Sequence, residues 1–403
     1  MADNNNFDMT LKMGTFHIEN IVLSDKSDLK DGTLYVDEKG LIDFIMKDPV
    51  IASCKVDLVF PGEKARILRV VDSVEPRYKP GSVQPFAGQG APLGQLGSGE
   101  TYRCANTGVL LSAQLPLRRA GGLHINRETI IDMVGPGSYV NVYPKLMNIV
   151  VSITVHNEHD EDQFEQACRF ATANAGRYIG LAMKGKTPDK VETFDMNAPC
   201  DASLPRVCCV YQVHAVGLYY TSYLYGMSYA GLLPTVLHPN EILDGAVFSC
   251  NYGCPSTRAA TYQHINSPII RELYARHGKT INFVGVIFLR GRFEEMEGKR
   301  RVANQVAKIA QVLKAQGSIN CWEGEGNAFI ETMLCVKALE NRGIKTVLIS
   351  SELGGREGKD NPLFYVEPEA DAIVSCGSWQ HPVTLPPHGP RSRRRRPFCK
   401  TAT

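Results

Sequence analysis

Hydrophobic and polar residues alternate in short runs over the first 75 residues, a pattern that is typical of half-buried strands. The runs lie at residues 11–22, 33–36, 41–45 and 65–71, and Asp, Gly and Lys turns separate them. They predict a β-rich N-terminal cap over residues 1–80. Residues 81–105 are dense in Gly, Pro and Gln and have little periodicity, so we expect a surface loop or linker there.

The pattern changes near residue 148, where apolar runs begin to alternate with helical spacings. Strands are predicted at residues 149–155, 207–213, 283–289, 345–350 and 372–375, and helices at 159–183, 294–315 and 328–340. This alternation predicts an α/β fold with a doubly wound, mostly parallel sheet core and a β-rich N-terminal domain. Ligands are then expected at the carboxyl ends of the strands.

Composition narrows the class of protein. No run of about 18 apolar residues occurs, and the N-terminus (MADNNN) lacks the basic start and apolar stretch of a secretory signal. We therefore expect a cytoplasmic protein with no membrane partner. The chain has 12 cysteines, and because the cytosol keeps thiols reduced, they are expected to be thiols rather than disulfides.

The formal net charge of +2 hides an uneven distribution. Residues 377–403 hold six basic residues and no acid, which leaves 38 basic against 42 acidic residues elsewhere, a net charge of −4. A basic run can bind nucleic acid, but without interleaved aromatic residues it is typical of a solvated tail. We predict a basic disordered tail over residues 377–403 and no nucleic-acid partner.

The most unusual stretch is a Gly- and Asn-bearing loop that carries Cys250 and Cys254. Loops at strand ends concentrate function. Zinc would need further ligands, for which His238, His264 and His277 are available. Because no second paired-cysteine unit occurs, a metal site is not expected.

An imidazole, an amide and two carboxylates lie just upstream, at His238, Asn240, Glu241 and Asp244. Two interpretations stay open. The segment is a capped helix start with Pro239 at or near its first position, a set of proton-transfer groups, or both at once. A helix N-terminus near a loop cysteine would also lower the pKa of that thiol.

Several motifs together resemble one family. They are HPNEILDGA at 238–246, the Cys-x-x-x-Cys loop, TYQH at 261–264, SPIIRELYARHGK at 267–279 and NFVG at 282–285, with shorter matches at 13–14, 18–21, 131–137, 191–193 and 370–375. These segments resemble the alpha/beta proprotein of component B in glycine, sarcosine and betaine reductases. The resemblance covers roughly residues 9–376.

The resemblance implies that the chain is cut on the N-terminal side of a cysteine that becomes a pyruvoyl group. Cys250 is the candidate precursor of this cofactor and Ser249 the residue before the cut; Cys254 is the alternative, and an uncut chain is also open. A thiol can attack the preceding carbonyl to form a thioester, elimination gives dehydroalanine, and hydrolysis leaves a pyruvoyl cap.

The implied parts are an N-terminal fragment that ends with a first α/β part (106–249) and a second, pyruvoyl-bearing part (250–376). The upstream set from His238 to Asp244 supplies candidate catalytic groups. Tyr262 and His264 are candidate substrate-binding residues, because they lie in a matching motif.

The implied function is an oxidoreductase subunit that holds an amino-acid-derived amine on the pyruvoyl carbonyl, as a Schiff base, for reductive deamination to acetyl phosphate and an amine. Implied partners are a selenocysteine- or cysteine-containing component B subunit and the component A selenoprotein. Glycine, sarcosine and betaine all stay open as the small amine substrate. A D-proline reductase proprotein and an uncleaved α/β binding paralogue are the alternatives.

Overall fold

A computed structural model describes residues 9–114, 129–251, 258–291, 295–324, 326–355, 357, 359–378, 383–386 and 398–400. Its helices are α1 (Glu38–Ile45), α2 (Glu161–Gly180), α3 (Pro239–Leu243), α4 (Thr261–Ile265), α5 (Pro268–Arg276), α6 (Met296–Val312) and α7 (Asn327–Glu340).

Strands of the first half of the chain are β1 (Leu11–His17), β2 (Asn20–Ser24), β3 (Asp28–Lys30), β4 (Thr33–Asp37), β5 (Ile51–Val59), β6 (Ala65–Leu68), β7 (Val70–Val74), β8 (Arg77–Tyr78), β9 (Gly99–Ala105), β10 (Thr107–Ala113), β11 (Ile130–Asp132), β12 (Met147–Val155) and β13 (Lys190–Phe194). Those of the second half are β14 (Arg206–His214), β15 (Tyr220–Leu224), β16 (Met227–Ser228), β17 (Thr235–Leu237), β18 (Val247–Asn251), β19 (Asn282–Gly291), β20 (Gly317–Trp322), β21 (Lys345–Glu352), β22 (Ile373–Ser378) and β23 (Phe398–Lys400).

The α/β class is confirmed, and the strands form several mixed sheets. One sheet has the order β13-β1-β9-β8 and another the order β5-β12-β10-β7. Each therefore joins strands from residues 1–80 with strands from beyond residue 98. The domain boundaries at 80 and 105 stay predictions, but the strands on either side of them share sheets.

Residues 41–45 form part of helix α1, so the strand predicted there is wrong. Asp37 caps the helix by accepting a hydrogen bond of 2.8 Å from the backbone N–H of Gly40. Leu41 and Ile45, four residues apart, are buried on the same helix face. The short apolar run is compatible with the period of a strand and with that of a helix. The N-terminal cap at Asp37 favours the helix.

The segment before Gly99 lacks helix and strand between residues 81 and 98, as its composition predicts. Its expected surface position is wrong for Phe86, Gln89 and Leu96, which are buried. The ring of Phe86 packs edge-on against Phe248, with 5.8 Å between centroids. A high content of Gly and Pro predicts an irregular backbone, but it does not predict whether that backbone is exposed. Here the irregular segment packs as part of the core.

The second half of the chain contributes a six-stranded sheet with the order β17-β19-β14-β20-β21-β22. Five neighbouring strands, from β19 to β22, run parallel, and β17 is antiparallel at the edge. The predicted strand at 207–213 and the helices at 294–315 and 328–340 are confirmed as β14, α6 and α7, with ends shifted by a few residues.

Strand β14 is buried on both faces, which explains its almost continuous apolar sequence. Cys208 and Val210 pack with the apolar residues of α6 and α7 on one face. Cys209 and Tyr211 belong to a second cluster, with Ile270 of α5, on the other. Successive side chains of a strand point to opposite faces, so helices cover both sides of this strand.

Part of the C-terminal segment is described, and it is not wholly free of structure. Phe398–Lys400 (β23) pairs antiparallel with Ala65–Ile67 of β6, and the carbonyl of Pro386 accepts a hydrogen bond of 3.2 Å from Arg66. The expectation of a disordered tail is wrong at these points, because β6 offers a strand edge. The Arg-rich run itself lies outside the described residues.

The nine cysteines whose side chains are described carry free thiols, and none of these nine takes part in a disulfide. Within the described chain, no helix is both long and apolar enough to cross a bilayer.

The six-stranded sheet predicts that a chain cut between residues 249 and 250 stays together. Strands β14 and β17 precede that point, while β19 and β20, the two neighbours of β14, follow it. Separation would expose the buried edges and faces of β14 to water. Coexpressed segments 1–249 and 250–403 should therefore elute as one particle in gel filtration without denaturant. Elution as two separate species would contradict this sheet order.

Candidate active site

A cavity of about 900 Å³ lies at the carboxyl ends of the parallel strands. The sheet contributes residues from the ends of four strands to its wall: Tyr211 and Gln212, Cys321 to Glu323, Ile349 and Ser351, and Cys376 and Ser378. The chain passes from β14 to β19 on one side of it, and then from β19 through α6 to β20 on the other side of β14. Such a reversal opens a crevice at the carboxyl ends of a parallel sheet, which is where ligands bind.

Ser249 forms part of the cavity wall and is buried. It lies in β18, which pairs antiparallel with β15, so that Ser249 is opposite Ser222 and Cys250 is opposite Thr221. The backbone N–H of Ser249 donates a hydrogen bond of 2.8 Å to Thr261 Oγ1. The predicted cleavage bond therefore follows a residue that faces the cavity.

Asp72 is a carboxylate in β7, a strand whose five residues are all buried. Both of its oxygens accept hydrogen bonds from Thr261: Oδ1 from the backbone N–H at 2.9 Å, and Oδ2 from the hydroxyl at 2.7 Å. Burial raises the pKa of Asp72 to about 7, against the opposing effect of the Thr261 hydrogen bonds. Asp72 can therefore change protonation state near neutral pH.

Glu323 is the second buried carboxylate, immediately after β20. Its Oε1 accepts from the N–H of Ala259 at 3.0 Å, and its Oε2 from the N–H of His214 at 3.2 Å. Burial raises the pKa of Glu323 to about 7, although these hydrogen bonds and the charge of Arg258 act to lower it. It ties the end of β14 to the segment that enters α4.

Arg258 is the one cation among the described residues of the cavity wall, where Asp72 and Glu323 are the acids. Its guanidinium lies against the imidazole of His214, with 2.9 Å from Nε to Nδ1 and 3.1 Å from Nη2 to Nε2. A neutral imidazole has one acceptor nitrogen, so one of these contacts is a hydrogen bond and the other is packing. The ring of Tyr220 lies 5.3 Å from the guanidinium carbon.

His264 is fully buried behind the cavity wall. Its Nδ1 lies 3.0 Å from the hydroxyl of Tyr211, and its Nε2 lies 3.3 Å from Glu323 Oε1. Burial lowers the pKa of His264 to about 4, so the ring is neutral at pH 7. Tyr262 packs edge-on against Tyr143, a residue of the wall, with 5.9 Å between ring centroids. Their substrate-binding roles stay predictions.

The segment from His238 to Asp244 forms helix α3, so the capped-helix interpretation is confirmed. Pro239 is its first residue, and a capping box joins His238 and Glu241: the N–H of His238 donates to Glu241 Oε2 at 2.7 Å. Burial lowers the pKa of His238 to about 4 and raises that of Glu241, which also accepts from Tyr225 at 2.8 Å.

Asn240 and Asp244 hold α3 to the N-terminal sheet. The side-chain amide of Asn240 donates to the carbonyls of Gly97 and Phe194, each at 3.1 Å, and to that of Met9. Asp244 accepts from Lys79 and from the backbone N–H of Gly97, at 2.8 and 2.7 Å. None of the four polar residues predicted here lines the cavity described above, and their proton-transfer role stays a prediction.

The backbone of Cys250 is part of β18, and Cys254 lies outside the described residues. Among the described residues, no three His, Cys, Asp or Glu side chains gather in a way that could hold a metal ion.

Sequence reasoning missed Asp72, His214, Arg258 and Glu323. Two signals were present. Asp72 is the lone charge in a Val-Val-Asp-Ser-Val run, and a charge inside a buried strand requires a partner. His214 and Glu323 stand at or just after the carboxyl ends of parallel strands, where ligand sites form in such sheets.

The chain matches, over residues 9–389, the family model described as glycine/sarcosine/betaine reductase component B subunits. It is 35% identical over 390 residues to the betaine reductase complex component B subunit alpha of Peptoclostridium acidaminophilum, which covers 94% of this chain and 86% of that protein. It is 33% identical over 384 residues to the glycine reductase complex component B subunits alpha and beta of Acetoanaerobium sticklandii, covering 94% and 87%.

A third relative is the sarcosine reductase complex component B subunit alpha of Peptoclostridium acidaminophilum, 33% identical over 375 residues, with 92% and 86% covered. No solved structure matches. An α/β protein with an acid-lined cavity is thereby placed among the subunits of multi-component reductases. The chain belongs to the family of glycine/sarcosine/betaine reductase component B subunits, which confirms the resemblance seen in its motifs.

The raised pKa values predict how stability depends on pH. A carboxyl whose pKa is about 7 in the folded chain and near 4.5 when unfolded binds its proton more tightly in the folded state. The free energy of unfolding should therefore fall as pH rises from about 4 to about 7, by on the order of 3 kcal/mol for Glu323. Glu323→Gln should flatten this decline, measured by urea unfolding of the uncut Cys250→Ala chain.

Equal pH slopes for the Cys250→Ala chain and the Cys250→Ala/Glu323→Gln chain would show that Glu323 titrates normally. Glu272→Gln is the matched control, because this carboxylate is exposed on α5, and its replacement should leave the slope unchanged.

Proposed function

We propose that this chain is a proprotein that cuts its own Ser249–Cys250 bond and then carries the resulting pyruvoyl group in the cavity. The observation that carries the proposal is the place of Ser249 in the wall of that cavity. The pyruvoyl carbonyl would form at residue 250, the first residue of the C-terminal fragment. It would therefore lie next to the part of the cavity wall that Ser249 forms. Family membership supports the same assignment, because three relatives are component B subunits.

The chemistry of cleavage needs only the chain and water. The Cys250 thiol sulfur bonds to the carbonyl carbon of Ser249 while the bond from that carbon to the Cys250 nitrogen breaks, and the thiol proton passes to the nitrogen. Loss of the Cys250 α-proton then breaks the bond between Cβ and sulfur, so that residues 1–249 leave as a thiocarboxylate. Water finally replaces the nitrogen, which departs as ammonia.

The residues around the cavity fit this chemistry. Proton transfer is most effective from groups whose pKa lies near the working pH. Asp72 and Glu323 both have a pKa of about 7 and line the cavity, one on each side of Ala259 and Ala260. The pyruvoyl group, once formed, supplies an electrophilic carbonyl that draws electrons from a bound amine.

The substrates in the names of the relatives share a carboxylate, although their nitrogens differ. Arg258, buried and cationic, binds that carboxylate at the cavity wall. His214 orients the guanidinium from one side, and the ring of Tyr220 lies next to it. The same Arg258 would serve a glycine, a sarcosine or a betaine enzyme, so it does not choose among them.

The complex named for the relatives implies partners for this chain. The reducing thiol or selenol comes from a cysteine- or selenocysteine-containing component B subunit, and the component A selenoprotein takes over the product, so this chain is inactive alone. The six-stranded sheet serves as a doubly wound core, with its reversal point at β14.

Separate mutation of Cys250 and of Cys254 tests the cleavage. Cys250→Ala removes the attacking sulfur and should leave one chain of 403 residues, whereas Cys254→Ala should still give chains 1–249 and 250–403. Mass measurement of the purified protein distinguishes them, because the bond cut fixes both fragment masses. Cys254→Ala is the matched control, since it also removes a thiol, four residues further along the chain.

Cleavage before residue 254, with Cys250→Ala still cut, would move the assignment to Cys254. An uncut wild-type chain would favour the uncleaved binding paralogue. A cut chain whose amine substrate is D-proline would favour the D-proline reductase alternative.

Borohydride trapping tests the use of the carbonyl. Labelled glycine or sarcosine, reduced in place, should become covalently attached to the 250–403 fragment, and Arg258→Gln should raise the concentration needed for half-maximal labelling about tenfold, because a charge-assisted hydrogen bond is lost. Glycinamide, which lacks the carboxylate, is the control and should respond little to Arg258→Gln. A processed protein that takes no label from its true substrate would rule out this role of the carbonyl.

A further inference from the structure

The outer edge of β18 is the starting observation. Among the described strands, β18 pairs with β15 alone. It is therefore the last strand of the sheet β16-β15-β18. The N–H of Ser249 donates away from β15, to Thr261 Oγ1. In an extended strand the N–H and C=O of one residue point to the same edge. The carbonyl of Ser249 therefore points to the outer edge of β18 as well, on the side of Thr261.

The Thr261 hydroxyl uses its hydrogen and one lone pair in this arrangement. A hydroxyl has one hydrogen to donate, and here it goes to Asp72 Oδ2 at 2.7 Å. The hydroxyl oxygen then accepts the N–H of Ser249 at 2.8 Å through a lone pair. The result is a directed chain of hydrogen bonds from the Ser249 amide through Thr261 to the Asp72 carboxylate.

Asp72 fixes the far end of that chain. It is buried and sits in β7, where it is opposite Leu111 of β10 in an antiparallel ladder. Its second oxygen takes the N–H of Thr261 at 2.9 Å, so the threonine is held at two points. Thr261 is itself fully buried at the first turn of α4. Rotation of the threonine side chain would break the contacts of its hydroxyl with Asp72 Oδ2 and with the N–H of Ser249.

We propose that Asp72 and Thr261 are positioning residues for self-cleavage, which hold the Ser249 backbone in one geometry while the Cys250 sulfur attacks the Ser249 carbonyl carbon. The inference rests on the proposed cleavage at Ser249–Cys250. It concerns the first step, in which sulfur bonds to this carbon, the bond from the carbon to the Cys250 nitrogen breaks, and the thiol proton moves to that nitrogen. In this first step neither residue exchanges a bond or a proton with the reacting atoms; the proton transfer to which the Asp72 carboxyl is suited belongs to the later loss of the Cys250 α-proton.

A reacting group held in one geometry reacts faster than a mobile one, and a misplacement of about 1 Å costs on the order of a hundredfold. Loss of one positioning hydrogen bond should therefore slow cleavage by about tenfold or more. Mutation of a positioning residue should lower the rate of cleavage. Mutation of a residue with a purely structural role should leave that rate unchanged as long as the chain folds.

The experiment follows the 403-residue chain after rapid synthesis in a cell-free system and measures the rate at which the 1–249 and 250–403 fragments appear. Thr261→Val removes the hydroxyl and keeps the shape, and should slow cleavage about tenfold or more. Asp72→Asn removes one acceptor and should have a similar effect. Thr261→Ser keeps the hydroxyl and should cut clearly faster than Thr261→Val.

Thr346→Val is the matched control. Thr346 is also a buried threonine, in strand β21, which donates to the carbonyl of Ile344 at 3.1 Å and accepts from Ser318 at 3.2 Å, but it lies at the opposite end of the parallel sheet from the cavity. It should unfold at a lower temperature, as Thr261→Val does, without slowing cleavage. Thermal unfolding of each variant on the Cys250→Ala background separates stability from rate.

Cleavage of Thr261→Val and Asp72→Asn at the wild-type rate would overturn the inference, and so would an equal slowing by Thr346→Val. Failure of the wild-type chain to cut would instead overturn the proposed function. Should Thr261→Val prove insoluble, the comparison of Asp72→Asn with Thr261→Ser and wild type decides: equal rates for all three overturn the inference, and slowing by Asp72→Asn alone supports it.

Discussion

Burial of the Asp72 and Glu323 carboxyls is the constraint on which the site depends. A buried carboxylate is stable only if hydrogen bonds satisfy it or a proton neutralises it. Here one short segment supplies the hydrogen bonds to both carboxyls. Glu323 accepts from the N–H of Ala259, and Asp72 accepts from the N–H and the hydroxyl of Thr261. Arg258 adds a contact to His214. The path from residue 258 to residue 261 is thus set by three polar side chains from distant parts of the chain, which are Asp72 in β7, His214 in β14 and Glu323 after β20.

The sequence predicts the parallel sheet better than the site. Strands such as β14 and β19 are buried on both faces, so they appear as long apolar runs, and helices α6 and α7 repeat their apolar residues at helical spacing. The run at 41–45 was too short to show its period, and its cap at Asp37 decided the outcome. The motif from His238 to Asp244 has the residue types of a catalytic set, yet its hydrogen bonds serve helix α3 and its anchors.

The pairs that build the cavity could not be predicted, because they join residues far apart in the chain. The contact between Asp72 and Thr261 spans 189 positions, and the contact between Ala259 and Glu323 spans 64. No local period connects such residues. The useful signals were single charges in apolar surroundings, such as Asp72 in β7 and Glu323 after β20, together with the general rule that parallel strands place ligands at their carboxyl ends.

The hydrogen-bond chain from Ser249 to Asp72 also orders events in time. Contacts between residues distant in sequence form late, because long loops must close first. If the proposed cleavage depends on the contact between Asp72 and Thr261, it is fastest in a chain whose N-terminal sheet and cavity are already assembled. Maturation would then act as a proofreading step: a misfolded copy would keep its peptide bond longer and would gain a reactive carbonyl more slowly than a folded one.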